Sequence, residues 1–320
     1  MSNLIEVQNL KKHFRVRGML GGTRVVHSVD GVSFAIARGE TFGLVGESGC
    51  GKTTLGRTIT RLYEPTSGSI LFEGTDIAPL GGRALSPYKR RMQIIFQDPY
   101  SSLNPYMNVE EIVGESLDLK EKLPSGERRA RIEEMLLRVG LDVDTMEKYP
   151  HEFSGGQRQR IGIARALVTH PDFVLCDEPI SALDVSIQAQ VVNLLEDLQA
   201  DMGLTYLFVA HDLSMVRHIS HRIAVMYAGH IVEISPSREL YRHPAHPYTE
   251  ALLSAIPIPN PKRARSVTRI RLEGDPPDPV AEIRGCPFAS RCPKRFARCT
   301  EERPELLPVS EDHLCACFAQ

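Results

Sequence analysis

The stretch Thr41-Phe-Gly-Leu-Val-Gly-Glu-Ser-Gly-Cys-Gly-Lys-Thr-Thr54 decides the fold of this 320-residue chain. Its first five residues predict a β-strand, and the pattern Gly46-x-x-x-x-Gly51-Lys52-Thr53 follows directly. Glycines there let backbone N–H groups turn inward where a Cβ would intrude, and the N-terminus of the helix that follows favours an anion. The stretch therefore predicts a strand, a phosphate-binding loop and a helix in that order.

Two side chains of this loop have distinct predicted roles. Lys52 is expected to bridge the β- and γ-phosphates of ATP, and the Thr53 hydroxyl is expected to ligate Mg²⁺. The residues expected to contact the nucleotide are Gly46, Glu47, Ser48, Gly49, Cys50, Gly51, Lys52, Thr53 and Thr54.

A second apolar strand predicts the rest of the metal site. The run Phe173-Val-Leu-Cys176 is followed by Asp177 and Glu178, and ligands of open α/β sheets bind beyond the carboxyl ends of such strands. We predict that Asp177 holds Mg²⁺ through water and that Glu178 polarises the attacking water.

Strand and helix patterns alternate along the first 235 residues, which predicts a mostly parallel sheet covered by helices on both faces. Apolar runs predict strands at Leu4–Val7, Val32–Ile36, Thr41–Val45, Ser69–Phe72, Gln93–Phe96, Phe173–Cys176, Thr205–Ala210 and Ile223–Tyr227. Helical spacing is found in the stripes Leu55, Ile59, Leu62; Ile132, Met135, Leu136, Val139; and Ile187, Val191, Leu194, Leu198. Gly140 and Gly203 follow the last two stripes as stop signals. A helical lobe is expected at about residues 98–158.

Composition and charge limit the classes of function that this chain can have. The formal net charge of −2 argues against a strongly basic nucleic-acid-binding surface, so no nucleic-acid partner is expected. No window approaches 18 consecutive apolar residues, so no membrane span is expected. The N-terminus lacks the basic-then-apolar pattern of a secretory signal. We therefore expect a cytoplasmic protein that works at a membrane only through partner subunits.

The composition changes beyond residue 235. Thirteen of the 22 prolines lie between Pro236 and Pro308, and five of the seven cysteines lie in the last 35 residues. We therefore predict two domains, residues 1–235 and residues 236–320, of which the second is rich in loops. The basic stretch Lys262-Arg-Ala-Arg265 is interpreted as a solvated linker, with a lipid-headgroup contact as the alternative.

Four further strings make the first 235 residues resemble the ABC-type ATPases in residue type, order and spacing. They are Phe96-Gln97-Asp98, Phe153-Ser154-Gly155-Gly156-Gln157, Ser181-Ala-Leu-Asp184 and Ala210-His211-Asp212. The resemblance implies a RecA-like α/β P-loop core with a helical subdomain at about 98–158, and Mg-dependent hydrolysis of ATP.

The resemblance also implies a role for each string. The segment Ser154–Gln157 begins a helix and is expected to grip the γ-phosphate of ATP bound to a partner copy. His211 is expected to contact the γ-phosphate, and Gln97 to contact Mg²⁺ or the attacking water. An aromatic residue near the N-terminus stacks on adenine in this family, and Phe14 is the candidate. The implied catalytic residues are Glu178, His211 and Gln97, the implied Mg²⁺ ligands are Thr53, Gln97 and Asp177, and Asp184 is the D-loop aspartate.

Longer strings narrow the resemblance to the ATPase subunits of bacterial oligopeptide and dipeptide importers. They are Ile95-Phe-Gln-Asp-Pro-Tyr-Ser-Ser-Leu-Asn-Pro105, Val225-Met-Tyr-Ala-Gly229, His246-Pro-Tyr-Thr249 and Gly46-Glu-Ser-Gly-Cys-Gly-Lys-Thr-Thr-Leu-Gly56-Arg57. The last string especially resembles the second of the two paralogous ATPases that such importers usually contain. The resemblance implies a nucleotide-sandwich dimer with a paralogous ATPase or a second copy, two membrane-spanning permeases and, indirectly, an extracytoplasmic peptide-binding protein. The implied location is the cytoplasmic face of the inner membrane, as a peripheral subunit.

The C-terminal cysteines resemble a domain that these importer ATPases carry and that holds a [4Fe–4S] cluster in some members. The matching positions are Cys286, Cys292, Cys299 and Cys317, and Cys315 is the extra cysteine. Four thiolates suit either a cubane cluster or tetrahedral Zn²⁺, and spacing does not separate the two. A small proline-rich tail with little core favours some metal. Free or disulfide-prone thiols are the third interpretation.

Other functions stay open at this point. A transporter of another cargo (nickel, an opine, a modified peptide or an antimicrobial peptide) would carry the same motifs, because the ATPase does not touch its cargo. A soluble ABC ATPase acting in DNA repair or on ribosomes usually carries two ATPase units, coiled coils or DNA-binding insertions, and the sequence shows none of these. A regulator that only binds ATP is disfavoured by Glu178 and His211 together.

Overall fold

Strands and helices alternate along the chain in the computed structural model, which describes residues 2–17, 22–120, 123–257 and 269–319. The predicted basic linker at 262–265 lies outside the described residues. The strands are β1 (Asn3–Arg17), β2 (Thr23–Ala37), β3 (Thr41–Val45), β4 (Ser67–Phe72), β5 (Thr75–Asp76), β6 (Met92–Ile95), β7 (Phe173–Asp177), β8 (Thr205–Val209), β9 (Arg222–Tyr227), β10 (His230–Pro236), β11 (Leu307–Ser310) and β12 (His313–Cys315). The α-helices are α1 (Lys52–Ile59), α2 (Gly82–Arg91), α3 (Val109–Lys120), α4 (Ser125–Arg138), α5 (Gly155–Leu167), α6 (Val185–Met202), α7 (Leu213–Ile219), α8 (Ser237–Arg242), α9 (Pro247–Ser254) and α10 (Ala297–Glu301).

The chain divides into two compact units, of which the first comprises Met1–Leu4, Ile36–Glu40 and Pro79–Val209. In this unit β6, β7 and β8 are parallel neighbours with β7 in the middle. Every residue of β7 and β8 is buried, as expected for strands that are covered on both faces. The helices α3, α4 and α5 pack against one another and form the helical part of the unit.

The second unit comprises Ile5–Ala35, Thr41–Ala78 and Ala210–Gln320 and contains two sheets. In one sheet β3 runs parallel to β9, and β10, β12 and β11 continue it in antiparallel order. In the other sheet the strand order is β2-β1-β4-β5. The C-terminal segment therefore adds two short strands to the sheet that contains β3.

The two predicted helix stops are confirmed. Gly140 and Gly203 have φ of 73° and 66°, the left-handed conformation that glycine adopts without a Cβ clash. Gly203 is the C-cap residue of α6, and Gly140 follows closely on α4. None of the helices in the described part of the chain is both long enough and apolar enough to cross a membrane.

Three local predictions differ from the structure. α1 ends at Ile59, and Arg61 then takes a left-handed conformation with φ of 56°, so Leu62 lies off the helix and is 51% exposed. β1 and β2 are each fifteen residues long, far longer than predicted, because much of each strand is only half-buried and lacks an apolar run. α2 was not predicted, since Leu85 is its one buried residue.

Candidate functional site

The predicted phosphate-binding loop connects β3 to α1 in the second unit. Gly46 and Gly51 have φ of 154° and 108°, and a Cβ at either position would collide with a backbone carbonyl oxygen, that of Met226 or Ser28. Glycine is therefore the residue that both positions require. The loop leads from a fully buried strand into a helix whose N-terminus receives no side-chain cap. The predicted order of strand, loop and helix is confirmed, and a helix N-terminus without a cap favours an anion in general.

The Lys52 side chain is folded back over this loop. Its Nζ donates to the carbonyl oxygens of Gly46 at 2.9 Å and Glu47 at 3.0 Å, and only 4% of the residue is exposed. Neutral carbonyl acceptors bind an ammonium group less strongly than an anionic oxygen does. The expected contact of Lys52 with the phosphates of ATP stays a prediction. Ser48 and Gly49 are exposed, Cys50 is buried, and Thr53 and Thr54 are half-buried in the first turn of α1.

Phe14 and His211 belong to the same unit as the loop. Phe14 is half-buried on β1 and meets the ring of Tyr63 edge to face, with 5.6 Å between the ring centroids. The ammonium group of Lys12 lies 4.7 Å from the centre of the Phe14 ring. His211 is exposed and precedes Asp212, the N-cap residue of α7. The role of each of these two side chains toward ATP stays a prediction.

In the first unit, two of the predicted catalytic residues are in contact. The amide Nε2 of Gln97 donates to a carboxylate oxygen of Glu178 at 2.9 Å. Asp177 ends β7 and is fully buried. Glu178 has φ of 50°, a left-handed conformation that costs energy in a residue with a side chain. Backbone strain of this kind is concentrated at functional sites, and here it falls on the residue that Gln97 contacts.

The predicted second helix N-terminus, at Ser154, is confirmed as the start of α5. The Ser154 hydroxyl accepts from the N–H of Gln157 at 3.4 Å, and the side-chain oxygen of Gln157 accepts from the N–H of Ser154 at 3.0 Å. This capping box fixes the first turn and leaves Ser154 and Gln157 exposed. Gly155 and Gly156 are half-buried beside them, and Asp184 is the exposed N-cap residue of α6.

The four cysteines predicted to form one site do line one small cavity, in the second unit. Cys286, Cys292, Cys299 and Cys317 line it together with His246, Lys294 and apolar residues, whereas Cys315 lies in β12 and does not line it. Burial, together with the smaller effect of the charges of the other three thiols, raises the pKa of Cys286 to about 11. Thiolates that line one small cavity repel one another, so a positively charged metal centre would be required to hold all four ionised. The donor set therefore fits such a group.

A second cavity, of about 900 Å³, was not predicted from the sequence. His13, His27 and Asp30 line it with ligand atoms within 4.8 Å of one another. Burial raises the pKa of Asp30, but the hydrogen bond from Lys11 and the charges of His230 and other cations lower it to about 2. Because its carboxylate is already paired with Lys11 at 3.1 Å, this cluster does not favour a metal ion.

Comparison with known proteins decides the family. Residues 29–181 match the family model described as ABC transporter, and residues 232–299 match the one described as oligopeptide/dipeptide transporter, C-terminal region. The oligopeptide transport ATP-binding protein AppF of Bacillus subtilis is 49% identical over 317 residues, which cover 98% of this chain and 96% of AppF. YkfD of the same organism, whose name also refers to oligopeptide transport and ATP binding, is 54% identical over 98% of this chain and 94% of its own. The chain belongs to the ABC transporter ATPase family.

Solved structures of ABC ATPases share the fold. The ATP-binding cassette MJ0796, in a dimeric post-hydrolysis state bound to ADP and phosphate, matches with a TM-score of 0.66 and 29% identity over 73% of this chain and 99% of its own. The cbiO1 protein from Clostridium perfringens, part of the cbiONQ ABC transporter complex, matches with a TM-score of 0.65 and 28% identity over 76% and 92% of the two chains. The predicted α/β P-loop fold is confirmed.

Membership of the ABC ATPase family confirms the predicted nucleotide and the predicted enzyme class, an ATP-hydrolysing transporter subunit. The phosphate-binding loop, the Ser154–Gln157 segment and Asp177 all lie within the residues that match the ABC transporter model. One contact of the phosphate-binding loop of this ABC ATPase is not predicted from the sequence. It is the ion pair of Glu47 with Arg291, whose partners lie 244 residues apart in the chain.

Proposed function

We propose that this chain is the ATP-hydrolysing subunit that powers the import of peptides, oligopeptides or dipeptides, across the cytoplasmic membrane. One observation carries the choice of cargo. The ATPase core is common to ABC proteins with many cargoes, but residues 232–299 match a C-terminal region that is described for oligopeptide and dipeptide transporters. The similarity to AppF also extends through this region, since it covers 98% of the chain.

The residues described above support separate roles for different side chains in ATP hydrolysis. Lys52 and the amides of the loop bind the phosphates, and Glu178, held by Gln97, accepts a proton from the attacking water. Mg²⁺, when bound, neutralises phosphate charge, and Thr53, Gln97 and Asp177 are the residues that would hold it. His211 contacts the γ-phosphate, and Phe14 stacks on adenine.

The substitution Glu178→Gln tests the proposed general base. It keeps the shape of the side chain and a group that can pair with Gln97, but it removes the basic oxygen. We expect ATP binding to persist and kcat to fall by at least about 100-fold. The matched control is Glu127→Gln, since Glu127 forms an exposed i,i+4 pair with Arg131 on α4. A Glu178→Gln protein with a near wild-type turnover rate would show that another group is the base.

The proposed assembly has two ATPase chains and two membrane-spanning permeases. Each ATPase offers its Ser154–Gln157 segment, with Asp184 nearby in sequence, to the nucleotide bound by the other chain. The second ATPase is a paralogue or another copy of this chain. The pair works at the cytoplasmic face of the membrane, and an extracytoplasmic protein delivers the peptide. Closure on ATP and opening after hydrolysis would drive the permeases.

A deletion strain tests the cargo. Without this chain, growth on defined peptides as the sole source of an essential amino acid should stop, while growth on the free amino acid should continue. Normal growth on peptides, with a defect only under nickel limitation or on opines, would move the assignment to that cargo. Co-purification of the chain with ribosomes or DNA in place of membranes would support the soluble ATPase.

For the C-terminal cysteines we propose a [4Fe–4S] cluster, with Zn²⁺ as the alternative. A tetrahedral zinc ion with Zn–S bonds of about 2.3 Å draws its sulfurs to within roughly 4 Å of one another. Among the cysteines of the described residues, no three sulfur atoms lie within 4.8 Å of one another. A cluster of four irons is larger than one ion and suits this wider arrangement.

Metal analysis of anaerobically purified protein distinguishes the two. We expect iron and acid-labile sulfide in about equal amounts, lost in Cys292→Ser and retained in Cys315→Ser, the control outside the cavity. Zinc without acid-labile sulfide would contradict the cluster and support the Zn²⁺ site. The absence of all metal would leave the cysteines as free thiols.

A further inference from the structure

The C-terminal segment contacts the phosphate-binding loop through the side chain of Arg291, which pairs with the carboxylate of Glu47. The guanidinium group of Arg291 meets Glu47 with two parallel contacts, Nη1–Oε2 at 2.8 Å and Nη2–Oε1 at 3.2 Å. Only 8% of the Arg291 side chain and 28% of the Glu47 side chain are exposed. A bidentate, largely buried pair of this kind fixes orientation as well as distance.

Aromatic residues fix Arg291 in turn. Its Nη1 also donates to the Tyr227 hydroxyl at 3.3 Å, and its backbone N–H donates to the carbonyl oxygen of Phe288 at 3.0 Å. The rings of Tyr227, Tyr248 and Phe288 pack together with centroid distances of 4.6 to 5.4 Å. These rings are nearly or fully buried, so Arg291 cannot follow Glu47 freely if the loop moves.

Glu47 is held at three points. Besides the carboxylate, its N–H donates to the Tyr248 hydroxyl at 2.9 Å, and its carbonyl oxygen accepts from Lys52 at 3.0 Å. The loop also contains Gly46, Gly49 and Gly51, all at positive φ, and glycine imposes little conformation of its own. The shape of the loop therefore depends on anchors, and Glu47 is the anchored residue at its beginning.

We propose that Arg291 is a positioning residue for ATP binding, which holds the phosphate-binding loop in its nucleotide-ready shape through Glu47. The C-terminal segment then contributes to the nucleotide site as well as to the region matched in peptide transporters. This inference rests on the proposed function, in that the loop from Gly46 to Thr54 is taken to bind the phosphates of ATP.

The test compares Arg291→Met, Arg291→Lys and Glu47→Gln in the full chain. We expect Arg291→Met to raise the Kd for MgATP and the KM for ATP about 10-fold, the ratio that corresponds to 1.4 kcal/mol. The kcat at saturating ATP should stay within about 2-fold, because binding groups that act equally before and in the transition state change KM alone. Arg291→Lys keeps the positive charge but loses the two parallel N–H donors of the guanidinium group. It should therefore retain part of the affinity that Arg291→Met loses.

Arg298→Met is the matched control, since Arg298 lies in the same segment and forms an exposed pair with Glu302. A purely structural defect would lower the active fraction, and hence kcat, in proportion to lost stability while leaving KM unchanged. The double variant of Arg291→Met with Glu47→Gln should lose no more affinity than the larger single loss. If Arg291→Met does not fold, Glu47→Gln carries the test, because it leaves the C-terminal segment intact.

Two outcomes would overturn the inference. One is wild-type affinity in Glu47→Gln and in every folded Arg291 variant; the other is an equal loss in Arg298→Met. Lys52→Met separates this failure from a failure of the proposed function. If Lys52→Met loses MgATP binding while the Arg291 and Glu47 variants keep it, the loop does bind ATP and the proposed role of Arg291 is wrong. If Lys52→Met binds MgATP normally, the loop assignment itself falls.

Discussion

At the scale of single residues, His230 links the protein's stability to pH. It lines the cavity of about 900 Å³, with Nε2 3.9 Å from a carboxylate oxygen of Asp30. Burial and the nearby charge of Arg303 lower its pKa from 6.5 to about 4, although Asp30 acts in the opposite direction. Lys11 and Arg303 both pair with Asp30 and add positive charge around the imidazole. The folded state therefore keeps His230 neutral at mildly acidic pH.

The sign of the pH effect follows from this lowered pKa. Between pH 6.5 and pH 4 the unfolded chain takes up a proton at His230 and the folded chain does not, so acidification destabilises the fold. For this histidine alone the loss at pH 5 is about 2 kcal/mol relative to pH 7.5. The carboxylate of Asp30 stays charged across the window, since its pKa is about 2.

Urea unfolding at pH 7.5 and pH 5 measures this effect. The difference in unfolding free energy between the two pH values should shrink in His230→Asn relative to the wild type. His243→Asn is the control, because the side chain of His243 is 74% exposed. An unchanged pH dependence in His230→Asn would contradict the lowered pKa.

At the scale of elements, burial decides which strands and helices the sequence predicts. β3, β7 and β8 are buried along their whole length, so their apolar runs are visible in the sequence almost to the residue. β11 and β12 have only four and three residues, and β11 is exposed throughout. They exist because they pair with β12 and β10 respectively, which no local pattern encodes.

The same distinction applies to the candidate site. Residues whose role depends on a local turn or on the end of a strand, such as Gly51, Ser154 and Asp177, follow from short strings. The hydrogen bond of Gln97 to Glu178 spans 81 residues and was not predicted, since the family resemblance implied only that Gln97 contacts Mg²⁺ or the attacking water. The anchor at Arg291 depends on tertiary packing of the C-terminal segment and is not predicted.

Glu233 attaches the C-terminal strand and the start of α9 to β10. Its fully buried carboxylate accepts from the N–H groups of Ala245 at 2.7 Å and His246 at 3.0 Å. It also pairs with Nε2 of His313 in β12 at 2.7 Å. The carboxylate therefore joins three parts of the chain, β10, the start of α9 and β12, and its hydrogen-bonding capacity is well used.

Removing this carboxylate should loosen the C-terminal segment. We expect Glu233→Ala to cost about 3 kcal/mol of unfolding free energy, because the buried N–H of His246, the half-buried N–H of Ala245 and an imidazole lose their acceptor. Hydrogen exchange should accelerate most in β12. Glu239→Ala is the control, since the carboxylate of Glu239 forms an exposed pair with His243. Equal loss of stability in the two variants would show that Glu233 is no special attachment point.

At the scale of the whole molecule, the proposed sandwich divides each nucleotide site between two chains. The phosphate-binding loop and the Ser154–Gln157 segment would then serve different ATP molecules. The ABC ATPase MJ0796, similar in fold, is described as dimeric. Two variants isolate the two contributions: Lys52→Met disables the loop, and Gly155→Asp places a carboxylate at the proposed γ-phosphate contact. An added Cβ at Gly155 meets no atom closer than 3.4 Å, so this variant should fold.

Mixing the two inactive variants tests the division. Each variant alone has no complete site, but a mixed dimer has one site made from the intact loop of one chain and the intact Ser154–Gln157 segment of the other. Random pairing makes half of the dimers mixed, so we expect about one quarter of the wild-type activity if the sites are independent. Gel filtration of Glu178→Gln with ATP checks that the chain pairs with itself, and if it does not, the mixing is done in the presence of the paralogous ATPase. If the chain pairs with itself but the mixed variants recover no activity, the phosphate-binding loop and the Ser154–Gln157 segment act on the same nucleotide. The proposal of a site divided between two chains would then be wrong.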